Sequence, residues 1–150
     1  MSPNTPLPAN LETIVADFEL MQGREKLELL LEYAQNFPPF PQELRANLSL
    51  EEVPECMSPV QMASEEKDGR LYFYFDIPPE SPTVRGFAAL MMAGINGSDP
   101  TSVLTLPADF YVRMGLQDVL TPQRLNGMAA ILAHVKRFAS ESLTKPLDKK

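Results

Sequence analysis

The sequence predicts an α+β fold in which a small antiparallel sheet packs against several α-helices. Apolar residues recur at helical spacing on both sides of a central region. Within that region, apolar and polar residues alternate behind an Asp68-Gly69 turn signal, a pattern typical of a β-hairpin. Helices that are segregated along the chain from a hairpin indicate a sandwich of helices on a sheet. The chain has 150 residues, of which 44% are hydrophobic, so it is long enough for one domain with a core and too short for two.

Two helices are predicted before the hairpin. Asn10 is expected to cap the first helix and Gly23 to end it. Its apolar face consists of Leu11, Ile14, Val15 and Phe18. The second helix is expected to begin near Arg24 and to end at the prolines from Pro38 onward. Its apolar face consists of Leu27, Leu30, Leu31 and Ala34. Residues 1–9 are expected to form a flexible tail.

A long connection is predicted to lead into the hairpin. Residues 42–55 read as a segment without regular structure, and connections of this length are often functional. The connection carries an acidic cluster made of Glu51, Glu52 and Glu55. This cluster could bind a hard cation, although a solvated loop is the commoner outcome for such residues. The first strand is predicted from Ser58 to Ser64, and the second strand has an inward face of Leu71, Phe73 and Phe75.

The later helices are predicted from capping residues that are each followed by proline. Such pairs stand at Ser81-Pro82, Asp99-Pro100 and Thr121-Pro122, where proline fits the first helical position. Gly115 is expected to end a short helical turn that begins near Phe110. The last helix has an apolar face of Leu125, Met128, Ala129, Leu132, Val135 and Ala139. Residues 141–150 are expected to be a second flexible tail.

The charge and the cysteine count exclude several classes of function. Lys and Arg number 13 against 20 Asp and Glu, so the net charge is −7. An acidic chain lacks the basic face that binds nucleic acid or anionic lipid, and it suits a basic protein partner. With 1 Cys, the chain cannot form an internal disulfide or a zinc site of several thiolates. Residues 1–10 lack the features of a secretory signal and no apolar run reaches membrane length, so a cytoplasmic protein is expected.

Cys56 is the only sulfur nucleophile in the chain. Free cysteines are more often buried structural thiols, but an acidic, proline-bearing segment gives burial less to gain. The only possible base of a hydrolase-type site is His134, which lies two residues after Leu132 in the last helix. That spacing places His134 roughly opposite the apolar face, so it is expected to face solvent. Without a base, the Cys56 thiolate is better suited to sulfur exchange than to hydrolysis.

Two arginines follow the starts of predicted helices by a few residues. They are Arg85, after Ser81-Pro82, and Arg124, after Thr121-Pro122. The simpler interpretation is a pair of surface cations. The functional interpretation is that they steer a partner or favour the thiolate form of Cys56.

Several short motifs occur in a fixed order along the chain. They are Gly23-Arg24-Glu25-Lys26-Leu27, Asn36-Phe37-Pro38, Val53-x-x-Cys56-x-Ser58-x-Val60, Val84-Arg85-Gly86, Gly115-Leu116, Leu120-Thr121-Pro122-Gln123-Arg124 and Asn126-Gly127-Met128. In this order and spacing, residues 14–139 resemble the SufE-like sulfur acceptors of iron–sulfur cluster assembly. The resemblance implies a single SufE-like domain over residues 1–150.

The resemblance also implies a function and a partner. In this family, a pyridoxal-phosphate-dependent cysteine desulfurase holds sulfur as a persulfide. A cysteine of the SufE-like protein accepts this sulfur and passes it to a downstream iron–sulfur scaffold. Cys56 would be the persulfide acceptor, and removal of the sulfur would stimulate the desulfurase. The residues expected to bind the partner or support the cysteine loop are Arg124, Arg85, Glu55 and Ser58. The resemblance implies no cofactor, no metal, no nucleic acid and no membrane partner.

Glu55 departs from the family pattern, which usually has glycine before the cysteine. A neighbouring carboxylate disfavours a thiolate, because like charges oppose ionisation. Two alternatives therefore stay open: an adaptor that regulates a desulfurase without accepting sulfur, and, ranked lower, an iron–sulfur scaffold. One Cys per chain allows a scaffold only through a dimer or external ligands.

Overall fold

Three antiparallel strands and a set of helices make up the computed structural model, which describes residues 7–45, 51–53 and 59–144. The helices are α1 (Ala9–Leu20), α2 (Arg24–Gln35), α3 (Gln42–Arg45), α4 (Pro82–Ile95), α5 (Pro100–Leu104), α6 (Phe110–Arg113) and α7 (Pro122–Thr144), with a 3-10 turn at Leu116–Asp118. The strands are β1 (Glu51–Glu52), β2 (Gln61–Lys67) and β3 (Arg70–Asp76), in the sheet order β1-β2-β3. The predicted α+β fold is confirmed.

The hairpin forms where the sequence places it. Asp68 and Gly69 have φ values of 54° and 77°, and a two-residue hairpin turn of this type needs positive φ at both positions. The predicted inward residues of β3 are buried, namely Leu71, Phe73 and Phe75. The predicted span of the first strand was wrong, since β2 starts at Gln61 rather than at Ser58 and continues to Lys67. Pairing with β3 extends down to the turn, where Lys67 lies opposite Arg70.

The predicted structureless connection was also wrong within the part that is described. It contains α3 at residues 42–45 and β1 at residues 51–52. The register pairs Glu51 with Met62 and Glu52 with Gln61. Two glutamates carry no strand signal of their own, and they become a strand because β2 offers a free edge. The ion pairs of Glu51, described below, also distinguish it from the solvated acidic loop that was expected.

Helix α4 lies at the centre of the helical layer. It contacts α1, α2, α7 and β3. Most of its residues are buried, including Phe87, Leu90 and Met91 at 0% exposure. A helix that is apolar on nearly all sides needs neighbours all round, and these elements supply them.

Three of the helix starts follow the predicted capping pairs. Helices α4, α5 and α7 begin at Pro82, Pro100 and Pro122. The Asp99 carboxylate accepts hydrogen bonds from the backbone N–H of Ser102 at 3.3 Å and from its hydroxyl at 2.7 Å. Gly115 ends the short turn before it with φ 76°.

The start of α1 differs from the prediction. Asn10 is the second helical residue rather than the cap, because Pro8 occupies the capping position and its carbonyl accepts from the Glu12 N–H. Leu7 before it is 8% exposed and belongs to the core, so the predicted flexible tail over residues 1–9 is wrong at this residue. Residues 1–6 lie outside the described part of the chain.

The apolar faces of α2 and α7 match the sequence only in part. In α2, Leu30 is fully buried, whereas Leu27, Leu31 and Ala34 are half-buried. In α7, Met128, Leu132, Val135 and Ala139 are buried as predicted. Helix α7 runs on to Thr144, four residues into the second expected tail. Within the described ranges, no helix combines the length and the apolarity needed to cross a membrane.

The edge of β3 that faces away from β2 is hydrogen-bonded to the segment that follows α4. The Asn96 side-chain amide accepts from the Phe73 N–H at 2.9 Å and donates to the Phe73 carbonyl at 3.0 Å. Next to it, the Leu71 N–H donates to the Ser98 carbonyl and the Gly97 N–H donates to the Leu71 carbonyl. The end of α4 is thereby fixed to the sheet.

Candidate functional site

One end of the sheet holds both ends of the connection between β1 and β2. At this end Glu52 pairs with Gln61, which in turn pairs with Asp76 of β3. Just beyond, the Val53 N–H donates to the Val60 carbonyl at 3.0 Å. Val53 and Val60 are 1% and 2% exposed, so the core anchors both sides of the connection.

Cys56 and the two candidate residues near it in sequence, Glu55 and Ser58, belong to this connection. Glu55, Cys56 and Ser58 belong to residues 54–58, which lie outside the described residues. In sequence, Cys56 is three residues from Val53 and three from Pro59, both of which are described.

Arg85 lies at the same end of the sheet. Its guanidinium donates to the carbonyl of Ile77, the residue directly after β3. The guanidinium carbon also lies 4.2 Å from the centre of the Phe37 ring, within the range of a cation–π contact. Arg85 is half-buried and therefore joins the end of β3 to the segment that follows α2.

Arg124 reaches the same helical turn from α7. Its guanidinium donates to the Thr83 hydroxyl at 2.8 Å. Thr83 is 7% exposed and lies on the first turn of α4, two residues before Arg85. Two arginines that are 39 positions apart in the sequence are thus brought to the first turn of one helix. The only sequence feature that points to Thr83 is its place directly after the Ser81-Pro82 pair.

His134 does not face solvent, contrary to the prediction. Its side chain is 13% exposed, and its Nδ1 lies 2.5 Å from a Glu51 carboxylate oxygen. The Arg137 guanidinium donates to the same carboxylate. Helical spacing alone could not predict that Glu51 of β1 lies beside α7 and contacts this side chain.

The described residues offer no preassembled cation site. In residues 7–45, 51–53 and 59–144, no three Asp, Glu, His or Cys side chains gather in a way that could hold a metal ion. The sequence analysis allowed that the acidic cluster, which includes Glu51, binds a hard cation. In the structure, the Glu51 carboxylate is bound by Arg137 and His134 instead.

A groove of about 480 Å³ lies elsewhere, between α2, the proline segment after it, α4 and β3. Tyr33, Tyr74 and Met92 are among its lining residues. Burial, and then a hydrogen bond to Glu65, raise the pKa of Tyr74 to about 12, so its hydroxyl stays protonated at neutral pH. The groove is formed by the later half of α4, whereas Thr83 and Arg85 lie on its first turn.

Comparisons with known proteins agree with the motif order. The family model named SufE, described as an Fe-S metabolism associated domain, matches residues 12–139. An uncharacterized SufE-like protein of Mycobacterium tuberculosis is 42% identical over 91% of this chain and 95% of its own length. A Plasmodium vivax protein named cysteine desulfuration protein SufE is 24% identical over 78% of this chain and 46% of its own length.

The fold has a close counterpart among solved structures. The solution structure of a hypothetical protein from Thermus thermophilus superposes with a TM-score of 0.82 at 34% identity, covering 93% of this chain and all of the other. The agreement of family model, relatives and fold extends over nearly all the described residues. On these grounds the chain belongs to the SufE family, whose domain is associated with iron–sulfur metabolism.

Proposed function

We propose that this protein accepts sulfur from a pyridoxal-phosphate-dependent cysteine desulfurase onto Cys56 and relays it to an iron–sulfur scaffold. Family membership supports the general role, and the name of the Plasmodium relative, a cysteine desulfuration protein, supports a desulfurase as the partner. The observation that carries the proposal is local. The connection with the chain's only cysteine is anchored at Val53 and Val60, at the sheet end where Arg85 bonds to the residue after β3.

The proposed step is a thiol–persulfide exchange. The Cys56 thiolate attacks the terminal sulfur of the desulfurase persulfide, so one sulfur–sulfur bond forms and the donor's sulfur–sulfur bond breaks. The donor cysteine leaves as a thiolate, and the proton of the Cys56 thiol passes to solvent. One sulfur–sulfur bond replaces another and the transferred sulfur keeps its oxidation state, so this step needs neither an oxidant nor a cofactor.

The anchoring of the connection sets how far the nucleophile can travel. Three residues of extended chain span at most about 11 Å, so Cys56 stays within that distance of Val53 and of Pro59. We propose that the desulfurase meets Cys56 within this distance of the sheet end. The protein would act as the partner of the enzyme rather than as an enzyme itself.

The arginines supply positive charge to an otherwise acidic protein near this end. Arg124 is exposed on α7, and Arg85 is half-buried and bonded to Ile77. A guanidinium group brought close to Cys56 would favour its thiolate, which would oppose the effect of the Glu55 carboxylate next to it in sequence. We infer that Arg124, whose exposed guanidinium is held by Thr83, contributes to docking of the desulfurase.

Intact-mass spectrometry tests the proposal. The protein is incubated with a cysteine desulfurase and free cysteine, without reductant, beside a Cys56→Ser variant. We expect the wild type to gain one or more sulfur atoms, mapped to Cys56, and the variant to gain none. A wild type that gains no sulfur from several desulfurases, or a Cys56→Ser variant that still stimulates a desulfurase fully, would overturn the acceptor role.

A second candidate, an adaptor that binds the desulfurase without accepting sulfur, is favoured by one residue. Glu55 replaces the usual glycine of the family and places a negative charge beside the nucleophile. Comparing wild type with Glu55→Gly separates the two roles. A carrier accepts sulfur in both forms, at a higher rate in the variant, whereas an adaptor accepts it only in the variant.

A further inference from the structure

Strand β1 has few hydrogen bonds of its own to hold it in the sheet. It is two residues long, and its pairing consists of Glu51 with Met62 and Glu52 with Gln61, followed by the Val53–Val60 hydrogen bond. Each backbone bond contributes only about 1 kcal/mol net, so apart from the buried Val53 side chain the strand depends on side-chain contacts to stay paired. The strand nevertheless forms the base of the connection that carries Cys56.

A group of side chains joins β1 to the longest helix. The Glu51 carboxylate is bound by both His134 and Arg137, which lie almost one turn apart on α7. Arg137 also lies 3.8 Å from Glu141 of the same helix, which helps to orient its guanidinium. We call Glu51, His134 and Arg137 the β1 clamp.

The two residues that the β1 clamp takes from α7 lie on a helix that is packed into the core. Helix α7 is fixed in the core by Ile131 and Val135, each 0% exposed, on either side of His134. The exposed fractions of the Glu51 and His134 side chains are 40% and 13%, so the contact is partly shielded from water. Charge-assisted hydrogen bonds in such a setting are stronger than neutral ones at a surface.

We propose that the β1 clamp is a positioning site for sulfur acceptance, and this rests on the proposed role of Cys56. By holding Glu51 against α7, it keeps β1 paired and keeps Val53 next to Val60. When the β1 clamp is broken, β1 opens more often and the anchored sheet end loses one of its two fixed sides. None of the three side chains is a catalytic residue, since each acts on the strand rather than on the transferred sulfur.

Hydrogen exchange of the Val53 amide measures the opening of β1 directly. Glu51→Gln removes the charge of the carboxylate and keeps its shape, and Glu52→Gln makes the same change at the neighbouring exposed residue. We expect Val53 to exchange about tenfold faster in Glu51→Gln and to stay within about twofold of wild type in Glu52→Gln. The amide of Leu132 in the core of α7 serves as the internal reference and should not change.

The rate of sulfur acceptance is measured on the same proteins by timed intact-mass spectra. We expect the rate to fall about tenfold in Glu51→Gln and to stay at the wild-type value in Glu52→Gln. A charge exchange, Glu51→Arg combined with Arg137→Glu, should recover part of both the Val53 protection and the rate that Glu51→Arg alone loses.

Two results would overturn the inference. In the first, Glu51→Gln exchanges its Val53 amide and accepts sulfur at the wild-type rates. In the second, Glu52→Gln loses as much Val53 protection and as much acceptance rate as Glu51→Gln does. Either can occur while the wild type accepts sulfur normally, so the proposed function would remain. A wild type that accepts no sulfur is a different result and refutes the function itself.

Discussion

At the residue scale, Gly86 shows how strongly one position can constrain the packing of two helices. It lies on α4 opposite Leu30 of α2, and a Cβ built on it would stand 2.3 Å from the Leu30 carbonyl oxygen. That oxygen belongs to a helical backbone and cannot move without shifting α2. The Val84-Arg85-Gly86 motif therefore combines a structural glycine with an arginine that reaches Ile77 and Phe37.

Replacement of Gly86 by alanine should destabilise the protein by about 2 kcal/mol, because a methyl group forces two packed helices apart. Chemical denaturation followed by far-ultraviolet circular dichroism measures the change. Gly94→Ala is the comparison on the same helix, since a Cβ there would stand 2.8 Å from the Leu11 Cδ1, 3.0 Å from its Cβ and 3.1 Å from its Cα. These contacts are tight but less severe than 2.3 Å to a helical carbonyl oxygen, so we expect a smaller loss there. An equal or larger loss in Gly94→Ala would contradict this account.

The sequence singled out Arg85 and Arg124, but it did not predict the residues that they contact. Arg85 and Arg124 stand out through the capping pairs that precede them. Their contacts with Phe37 and Thr83 depend on how distant segments pack, which local spacing does not encode. His134 shows the same limit, because its contact with Glu51 depends on strand β1, which the sequence did not predict.

At the element scale, the start of α5 shows how a local cap determines where a helix begins. The Asp99 carboxylate accepts two hydrogen bonds from Ser102, and these lower the pKa of Asp99 below its usual value. The ionised form is the one stabilised in the folded state. The ionised Asp99 therefore contributes fully to the free energy of unfolding at a pH above the pKa that this residue has in the unfolded chain. The contribution is lost as the pH falls through the lower pKa of the folded protein.

Asp99→Ala should reduce the free energy of unfolding by about 1 kcal/mol at neutral pH, the usual effect of losing a helix cap. The difference from wild type should shrink as the pH is lowered, because protonation removes the same interaction from the wild type. Urea denaturation at neutral pH and at about pH 2.5 gives both differences. A loss that is the same at both pH values would show that the carboxylate charge plays no part.

Elements with a local signal were the ones predicted correctly. Helices α4, α5 and α7 start at proline after a capping residue, and the hairpin turns at Asp68-Gly69, where the residues themselves favour the conformation. Strand β1 lacks such a signal, because two glutamates form a strand only beside the edge of β2. The start of β2 was misplaced for a related reason, since its register follows β3 rather than its own apolar pattern.

At the scale of the whole molecule, Arg113 joins two helices that are far apart in the sequence. It pairs with Glu12 at 2.9 Å and with Glu19 at 3.4 Å, which connects α6 to α1. The hydrogen bond to Glu12 is the main reason that the pKa of Arg113 is raised. The pairs are partly exposed, so salt should weaken them.

Arg113→Gln should lower the free energy of unfolding by about 1 kcal/mol or less at low salt, and by still less in about 1 M sodium chloride. Arg24→Gln is the control, because Arg24 pairs with Glu28 within one helix at 3.9 Å and its side chain is 87% exposed. We expect that change to be nearly neutral at both salt concentrations. Thermal unfolding of both variants at the two salt concentrations measures these effects, and a salt-independent loss at Arg113 would indicate packing rather than charge.

The global architecture was the most predictable level. The hairpin and the helix order predicted the α+β fold, and the order of short motifs indicated the family that the comparisons then showed. Long-range ion pairs such as Arg113 with Glu12 were beyond prediction, since the sequence separates them by 101 positions.

The amide of Asn96 has a consequence for the protein in concentrated solution. An unpaired strand edge is a template on which another molecule can add a strand, the first step towards polymerisation. At Phe73 both backbone groups on that edge are already bonded to the Asn96 side chain, which imitates the next strand. An incoming chain would have to displace this amide before pairing there. A single asparagine thus limits the growth of the sheet at this position and protects the folded protein against aggregation through β3.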